Sequence, residues 1–354
     1  MALLHPDLPP IDMHAGLNKP QALQPGDTIG VVAPSWCGPA MFPHRVQRGV
    51  QFLESLGYQV VLSPHAFGRH GYVSGTAEQR ADDIHQLFAD PEVRAIFTAI
   101  GGDHSNHLLP FLDWDLIRRH PKIFLGWSDT TVLAWAMYSQ ANLVTFMGPA
   151  VMTGLAEFPA PLPYTVRSLQ RLLSVPEPYG PIDPATEWTE ELLDWREQLD
   201  LTRPRRLRSS HGWTWLKGGH AEGRLVGGCL ESIQHLRGTP YWPDLTDAIL
   251  FFETSEEVPL PERVDAALQD FENMGVLRRL RGLLVGRPYA YTERQKTQLH
   301  EVILERTARY DFPIVTDMDF GHTDPTLTLP IGCRATIDVP KQQISMVEAA
   351  VTGT

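Results

Sequence analysis

Apolar residues follow two rhythms that take turns along this chain. Asp27–Ala33 (D-T-I-G-V-V-A) is a short apolar run, the pattern of a strand buried on both faces. Phe42–Leu56 then sets Val46, Val50, Leu53 and Leu56 at helical spacing and stops at Gly57, which predicts a helix and its end. Tyr58–Leu62 predicts a second strand, and a glycine-containing loop leads to a helix over Thr76–Ala89 with Ile84, Leu87 and Phe88 on one face. Ala95–Ile100 predicts a third strand closing on Gly101–Gly102. After a connection through Leu108–Ile117, Ile123–Leu125 predicts a fourth. A tight turn at Gly126–Trp127 follows, then a helix from Ser128 or Asp129 through V-L-A-W-A-M-Y. Strands alternating with helices imply a parallel sheet with right-handed crossovers, whose ligands gather at the carboxyl ends of the strands.

Residues 155–212 break this rhythm. They are rich in proline, charge and tryptophan, with E-W-T-E-E-L-L-D-W and R-P-R-R-L-R among them, and read as an interdomain excursion. From Gly223 the alternation resumes. Ala248–Glu253 predicts a strand, Pro261–Met274 a helix and Arg281–Gly286 a strand. Ile314–Asp317 is a short strand running into F-G-H-T-D-P, and Cys333–Val339 with Gln343–Val347 predict closing antiparallel strands. The expected fold is α/β: an N-terminal parallel-sheet domain (1–160), a linking loop (161–212), and a smaller C-terminal α/β domain (213–354) with some antiparallel strands. Residues 1–25 are expected to form an arm packed over the surface.

Composition narrows the function. Of 354 residues, 43% are hydrophobic, enough for a sizeable core. A formal charge of −12 opposes binding to nucleic-acid polymers or anionic membranes. Cys37, Cys229 and Cys333 form no C-x-x-C pair, and an odd count argues for reduced thiols. The start, M-A-L-L-H-P-D-L-P-P, has no basic region followed by an apolar one, and no stretch approaches the ~20 apolar residues of a membrane span. A soluble, cytoplasmic protein is expected.

Candidate chemistry sits at strand ends. A serine at a sharp strand-to-helix turn projects its hydroxyl beside amides the helix has not used, which suits a nucleophile at Ser128. The same position also suits an ordinary N-cap, with Asp129 a first-turn acid. Glu253 ends a strand and His322 follows one in a glycine loop. A histidine can take the proton of a serine, and a carboxylate can fix that histidine's tautomer. Spacing alone does not choose these residues among 14 histidines and 42 acids. A strand-end acid and a turn histidine stay open as plain readings. His104 and His107 form an H-x-x-H pair lacking a third ligand. The Gly101–Gly102 turn lacks the flanking pattern of either common phosphate loop. Arg203, Arg205, Arg206 and Arg208 read as a solvated linker more readily than as an anion site.

The runs I-G-G-D-H-S-N-H-L-L-P, P-K-I-F-L-G-W-S-D-T-T, L-V-G-G-C-L-E-S-I, I-L-F-F-E-T and F-G-H-T-D-P-T-L-T-L-P-I-G resemble, in order, the LD-carboxypeptidase family of serine peptidases. The resemblance covers about Gln24–Val347 and looks closest to the branch of microcin C immunity peptidases. It implies a flavodoxin- or glutamine-amidotransferase-like N-terminal sheet, with Ser128 as nucleophile, His322 as base and later acid, and Glu253 orienting the histidine. It implies an oxyanion hole from the Gly102 amide, in the Gly101–Gly102–Asp103 turn, and the Asp129 amide. It implies no metal and no organic cofactor, and a homodimer acting on a small-molecule or peptide substrate.

In that branch a loop tryptophan stacks on a nucleobase, and Trp188 and Trp195 are the matching candidates. Cys229 stands where the branch tends to have asparagine. Glu256 and Glu257 stand where a basic residue is common, and they favour a cationic group on the substrate, such as the free amine of a diamino acid. Gly101, Asp103, Cys229 and Glu257 complete the expected substrate contacts. The expected activity is cleavage of an amide or acyl bond in an aminoacyl-nucleotide compound. Release of a terminal D-amino acid from murein tetrapeptide is the alternative, and a catalytically silent ligand-binding protein is the reading outside enzymes.

Overall fold

The helix Thr131–Ala141 is apolar on nearly every side, and a helix of that kind is stable only when surrounded. In the computed structural model, which describes residues 16–257 and 260–353, it lies between two sheets. Its Trp135 Nε1–H donates to the Gly227 carbonyl of the second sheet at 2.7 Å.

The first sheet has six strands in the order Leu329–Ile331, Thr145–Met147, Ile123–Gly126, Val93–Thr98, Thr28–Val32, Gln59–Leu62. All neighbours are parallel except the Leu329–Ile331 edge. Val93–Thr98 and Ile123–Gly126 lie side by side, with Phe97 opposite Leu125. The turns that follow them, at Gly101–Gly102 and Ser128, therefore emerge together.

The second sheet has eight strands in the order Gly180–Ile182, Gln343–Met346, Arg334–Asp338, His220–Cys229, Ala248–Glu253, Gly282–Gly286, Ile314–Met318, Thr214–Lys217. The four from His220–Cys229 to Ile314–Met318 are parallel, and antiparallel strands close both sides. The architecture is thus α/β with a parallel N-terminal sheet and a mixed second one, as the alternation predicts.

The structure departs from the sequence reading in several places. The 155–212 segment is built rather than loose: Pro163–Ser174 is a helix burying Leu169, Leu172 and Leu173, and Gly180–Ile182 is an edge of the second sheet. The last strand of the first sheet, Leu329–Ile331, comes from far downstream, just beyond His322. Strand His220–Cys229 escapes the pattern because it contains glycines; a Cβ at Gly227 would lie 1.8 Å from the Phe251 carbonyl oxygen. The helix Glu293–Arg306 escapes it too, since only Leu299 and Ile303 of its residues are buried. Of the expected N-terminal arm, residues 1–15 lie outside the described residues. From residue 16 the arm is part of the body: Ala22 and Leu23 are buried and their amides bond to Thr352 and Leu173.

Candidate active site

The fourth strand of the first sheet ends at Gly126, and the chain turns through extended Trp127 into Ser128. Ser128 has φ +55°, a left-handed conformation that costs a serine on the order of 1–3 kcal/mol. It opens a single 3₁₀ turn, Ser128–Thr130, and the α-helix begins only at Thr131. Its hydroxyl makes no cap bond, so the N-cap reading does not hold. Instead the Oγ lies 3.2 Å from His322 Nε2.

The Asp129 carboxylate ties this turn to its neighbour. Buried at 2% exposure, its Oδ2 accepts from the His104 and Ser105 amides at 3.1 and 2.9 Å and from Ser105 Oγ at 2.7 Å. Buried Arg80 donates to the carbonyls of Pro34 and His104, and Ser35 Oγ accepts from the His104 amide. Gly101 must be glycine, because a Cβ there would lie 2.9 Å from Ser128 Cβ. Among the described residues neither the Gly102 amide nor the Asp129 amide donates a hydrogen bond. A free pair of amides beside a serine hydroxyl can receive an oxyanion. Ser35, Arg80 and Ser105 were not singled out in the sequence; each is an ordinary polar residue whose importance comes from its partner.

Glu253 and His322 arrive from the second sheet. Glu253 ends the central strand, wholly buried, and its Oε2 accepts from His322 Nδ1 at 2.7 Å. Gly321 allows this contact: at φ +106° its missing side chain leaves room for Glu253, whose Cβ would lie 2.6 Å from a Cβ at 321. The Trp127 ring covers the imidazole, with centroids 4.1 Å apart. A second carboxylate also reaches His322. Glu256 Oε2 lies 2.8 Å from Nε2, closer than the Ser128 hydroxyl. Burial works to lower the His322 pKa, but Glu253 and then Glu256 overcome it and push the imidazole up to about 10. Burial likewise opposes the charge on Glu256, and the bond to His322 brings its carboxyl below the usual range.

The His322 loop is held from a distance. Thr189 and Asp324 exchange backbone bonds of 2.6 and 2.9 Å, and the Thr326 and Thr328 amides donate to Thr165 and Ser168 of the Pro163–Ser174 helix. Arg205 sits between Glu157 (2.5 Å) and Asp324 (2.9 Å). Burial works against its charge, and the two acids more than restore it. Asp319, fully buried, accepts from Arg287 at 2.7 Å and from the Ala185 amide and Trp213 Nε1 at 2.8 Å. Of the arginines read as a solvated linker, Arg205 is therefore a largely buried clamp, while Arg206 and Arg208 are exposed as expected. Arg203 pairs with Glu191 and Arg208 with Glu190, while the Arg206 amide donates to Glu191.

The remaining expected contacts divide. Trp188 is not an exposed stacking platform: it is buried, and Arg287, Arg208 and Lys296 lie within 4.7, 5.4 and 5.6 Å of its ring centre. Trp195 is half-buried, edge-on to Phe42 at 5.5 Å and under Arg45 at 4.6 Å. Cys229 is 1% exposed, its amide bonded to Thr131 Oγ1, and burial pushes its thiol well up. Asp103, beside the Gly101–Gly102 turn, and Glu257, in the turn beyond the Ala248–Glu253 strand, are exposed. His104 and His107 pack as rings 5.1 Å apart, with the Tyr72 ring tilted against His104 at 4.4 Å. Among the described residues no cluster of three or more His, Cys, Asp or Glu could hold a metal ion, and no helix is long and apolar enough to cross a membrane.

Known proteins share this arrangement of sheets. A family model for the LD-carboxypeptidase N-terminal domain matches residues 29–148, and one for the C-terminal domain matches residues 222–337. The microcin C7 self-immunity protein MccF of Escherichia coli is 32% identical, over 96% of this chain and 97% of that protein. A probable murein peptide carboxypeptidase of Bacillus subtilis (strain 168) is also 32% identical, over 94% and 95%. The solved structure of MccF in complex with glutamyl sulfamoyl guanosine superposes with a TM-score of 0.86 at 30% identity, covering 94% of this chain and 99% of that one. With both domains matched and relatives aligned nearly end to end, the chain belongs to the LD-carboxypeptidase family of serine peptidases.

Proposed function

We propose that Ser128, His322 and Glu253 are the catalytic triad and that the protein cleaves an amide or acyl bond in a small aminoacyl or peptidyl compound. The observation that carries this is the continuous chain from Ser128 Oγ to His322 Nε2 (3.2 Å) and from His322 Nδ1 to Glu253 (2.7 Å), built from two different sheets. Neutral His322 takes the Ser128 proton as Oγ bonds to the substrate carbonyl carbon. The carbonyl oxygen becomes an oxyanion held by the Gly102 and Asp129 amides; losing one such donor typically costs ~10²–10³ in rate. The protonated imidazole then gives its proton to the leaving group as the tetrahedral intermediate collapses. Water, deprotonated by the same histidine, releases the acyl group from Ser128.

For the substrate, the aminoacyl-nucleotide class comes first, supported by the likeness to MccF, whose solved complex holds glutamyl sulfamoyl guanosine. Trp195 is the base-stacking candidate. Its half-buried ring continues a row from Trp36, through Phe42, beside the Gly101–Gly102 turn. The B. subtilis relative named for murein peptides supports the second reading, release of a terminal D-residue from murein tetrapeptide. Purified protein given an aminoacyl sulfamoyl adenosine and a murein tetrapeptide in parallel separates them. The first should be hydrolysed faster, and turnover of the tetrapeptide alone overturns this choice. We also take the protein to be a cytoplasmic homodimer. Three free, buried thiols support the compartment, and sedimentation of the purified protein tests the dimer.

A further inference from the structure

Glu256 occupies the position a serine's base must keep open. Its Oε2 is 2.8 Å from His322 Nε2, while Ser128 Oγ is 3.2 Å from the same nitrogen. Nε2 carries one lone pair or one proton, so it cannot donate to a carboxylate and also accept the serine's proton. With Glu253 on Nδ1 and Glu256 on Nε2, the ring is bracketed as an imidazolium. Glu253 is buried at the end of its strand, whereas the Glu256 side chain is 54% exposed and lies in the turn beyond that strand. One carboxylate is fixed and the other is open to solvent and to ligand.

Among the described residues no lysine or arginine pairs with Glu256, and the cations around the His322 loop are already held, Arg205 by Glu157 and Asp324 and Arg287 by Asp319. Glu231 accepts from the Ser255 amide and hydroxyl. The Asp129 carboxylate is turned to the His104–Ser105 amides. The Cys229 thiol and the Tyr289 phenol are both pushed up, by burial first, then by Glu253 and Glu231 for the thiol and by Glu190 and Glu256 for the phenol. A ligand entering this mouth meets an excess of negative charge at the reacting atoms.

We propose that Glu256 is a specificity-determining carboxylate that seats on His322 Nε2 in the free protein and is drawn off by a substrate ammonium group beside the scissile carbonyl, which frees the base. The inference rests on the assignment of Ser128 and His322 made above. The exchange balances simply: the ammonium replaces the imidazolium as the partner of Glu256, the Nε2 proton passes to solvent, and the bared lone pair accepts the Ser128 proton. Acyl compounds with a free amine within a short side chain's reach are thereby favoured over the same compounds with that amine acylated.

Phosphonylation of Ser128 by fluorophosphonates, followed by intact mass and peptide mapping across pH, tests the proposal without a known substrate. With a neutral alkyl fluorophosphonate, the wild-type rate should rise with pH around a midpoint on the alkaline side of ordinary histidine. Glu256→Gln should lower that midpoint by about one pH unit or more and speed labelling at pH 7 about tenfold. A fluorophosphonate carrying a terminal primary ammonium should label the wild type at least about tenfold faster than the neutral one, a preference that Glu256→Gln abolishes. Glu256→Ala should repeat both changes. An unchanged midpoint and preference overturn the role of Glu256 and leave Ser128 as the nucleophile. A shifted midpoint with the preference intact overturns the ammonium assignment. No label on Ser128 in either folded protein overturns the nucleophile assignment and this proposal with it.

Discussion

The Ser128 turn and the His322 loop meet at 3.2 Å, yet the chain builds them in opposite ways. The Ser128 turn is local: a buried strand, a left-handed serine and a helix follow in sequence, and its main outside support, the His104–Ser105 turn, comes from the adjacent strand. The His322 loop has little structure of its own. Its position depends on Thr165, Ser168, Thr189 and Arg205, all in the segment that lies between the two family domains. The proposed nucleophile is thus set by neighbours in the chain, while its proposed base is set by partners brought from afar. Damage to the two regions should therefore look different.

Ser128→Ala should give the largest loss, on the order of 10⁴–10⁶ in turnover, with the urea unfolding midpoint little changed, because alanine keeps the Cβ and with it the φ strain. Steady-state kinetics beside an unfolding curve checks both halves. Arg205→Met comes next. It leaves Glu157 and Asp324 facing each other without their cation, a loss of about 3–5 kcal/mol in urea unfolding for a buried pair broken on one side. Labelling of Ser128 should slow with it, because the His322 loop is released while the serine turn stays. Asp129→Asn should act on the other region alone: the fold persists and the rate falls ~10²-fold, as the turn carrying the oxyanion amides loosens. Equal damage from Arg205→Met and Asp129→Asn to both stability and rate would erase the contrast.

The smallest effect is a slope. The His322 pKa is raised in the folded protein, so its contribution to stability is complete below about 6.5 and is lost as pH rises through about 10. Urea midpoints measured between those values should fall with pH, and fall less in Glu256→Gln. Kinetics run the other way: the base works only when deprotonated, so activity should rise over the same window.

The same contrast explains what could be read from the sequence. The strands that flank the site, Ile123–Gly126 and Ala248–Glu253, are short apolar runs ending in turns, and their placement follows from local pattern. The order of parallel strands then brings Gly101 beside Ser128. His322 was legible only through its motif, since no local rhythm aims a loop histidine at a serine 194 residues away. Arg205 was misread as solvated because its partners, Glu157 and Asp324, lie far from it in sequence and charge runs are usually exposed. Which of Trp188 and Trp195 packs the segment against the body is not legible for the same reason: the Arg287 and Lys296 cations over the Trp188 ring come from the second sheet and its flanking helix. Glu256 was noticed as an acid in an unusual place, but its seat on Nε2 needed coordinates.

The central claim is that a base from one sheet activates a serine from the other. It is tested most directly by trapping the folded protein with a neutral fluorophosphonate and mapping the adduct. The expected result is a single adduct on Ser128, absent in Ser128→Ala and formed about 10³-fold more slowly or worse in His322→Gln. An adduct on a different residue, or an unchanged rate in folded His322→Gln, would contradict it.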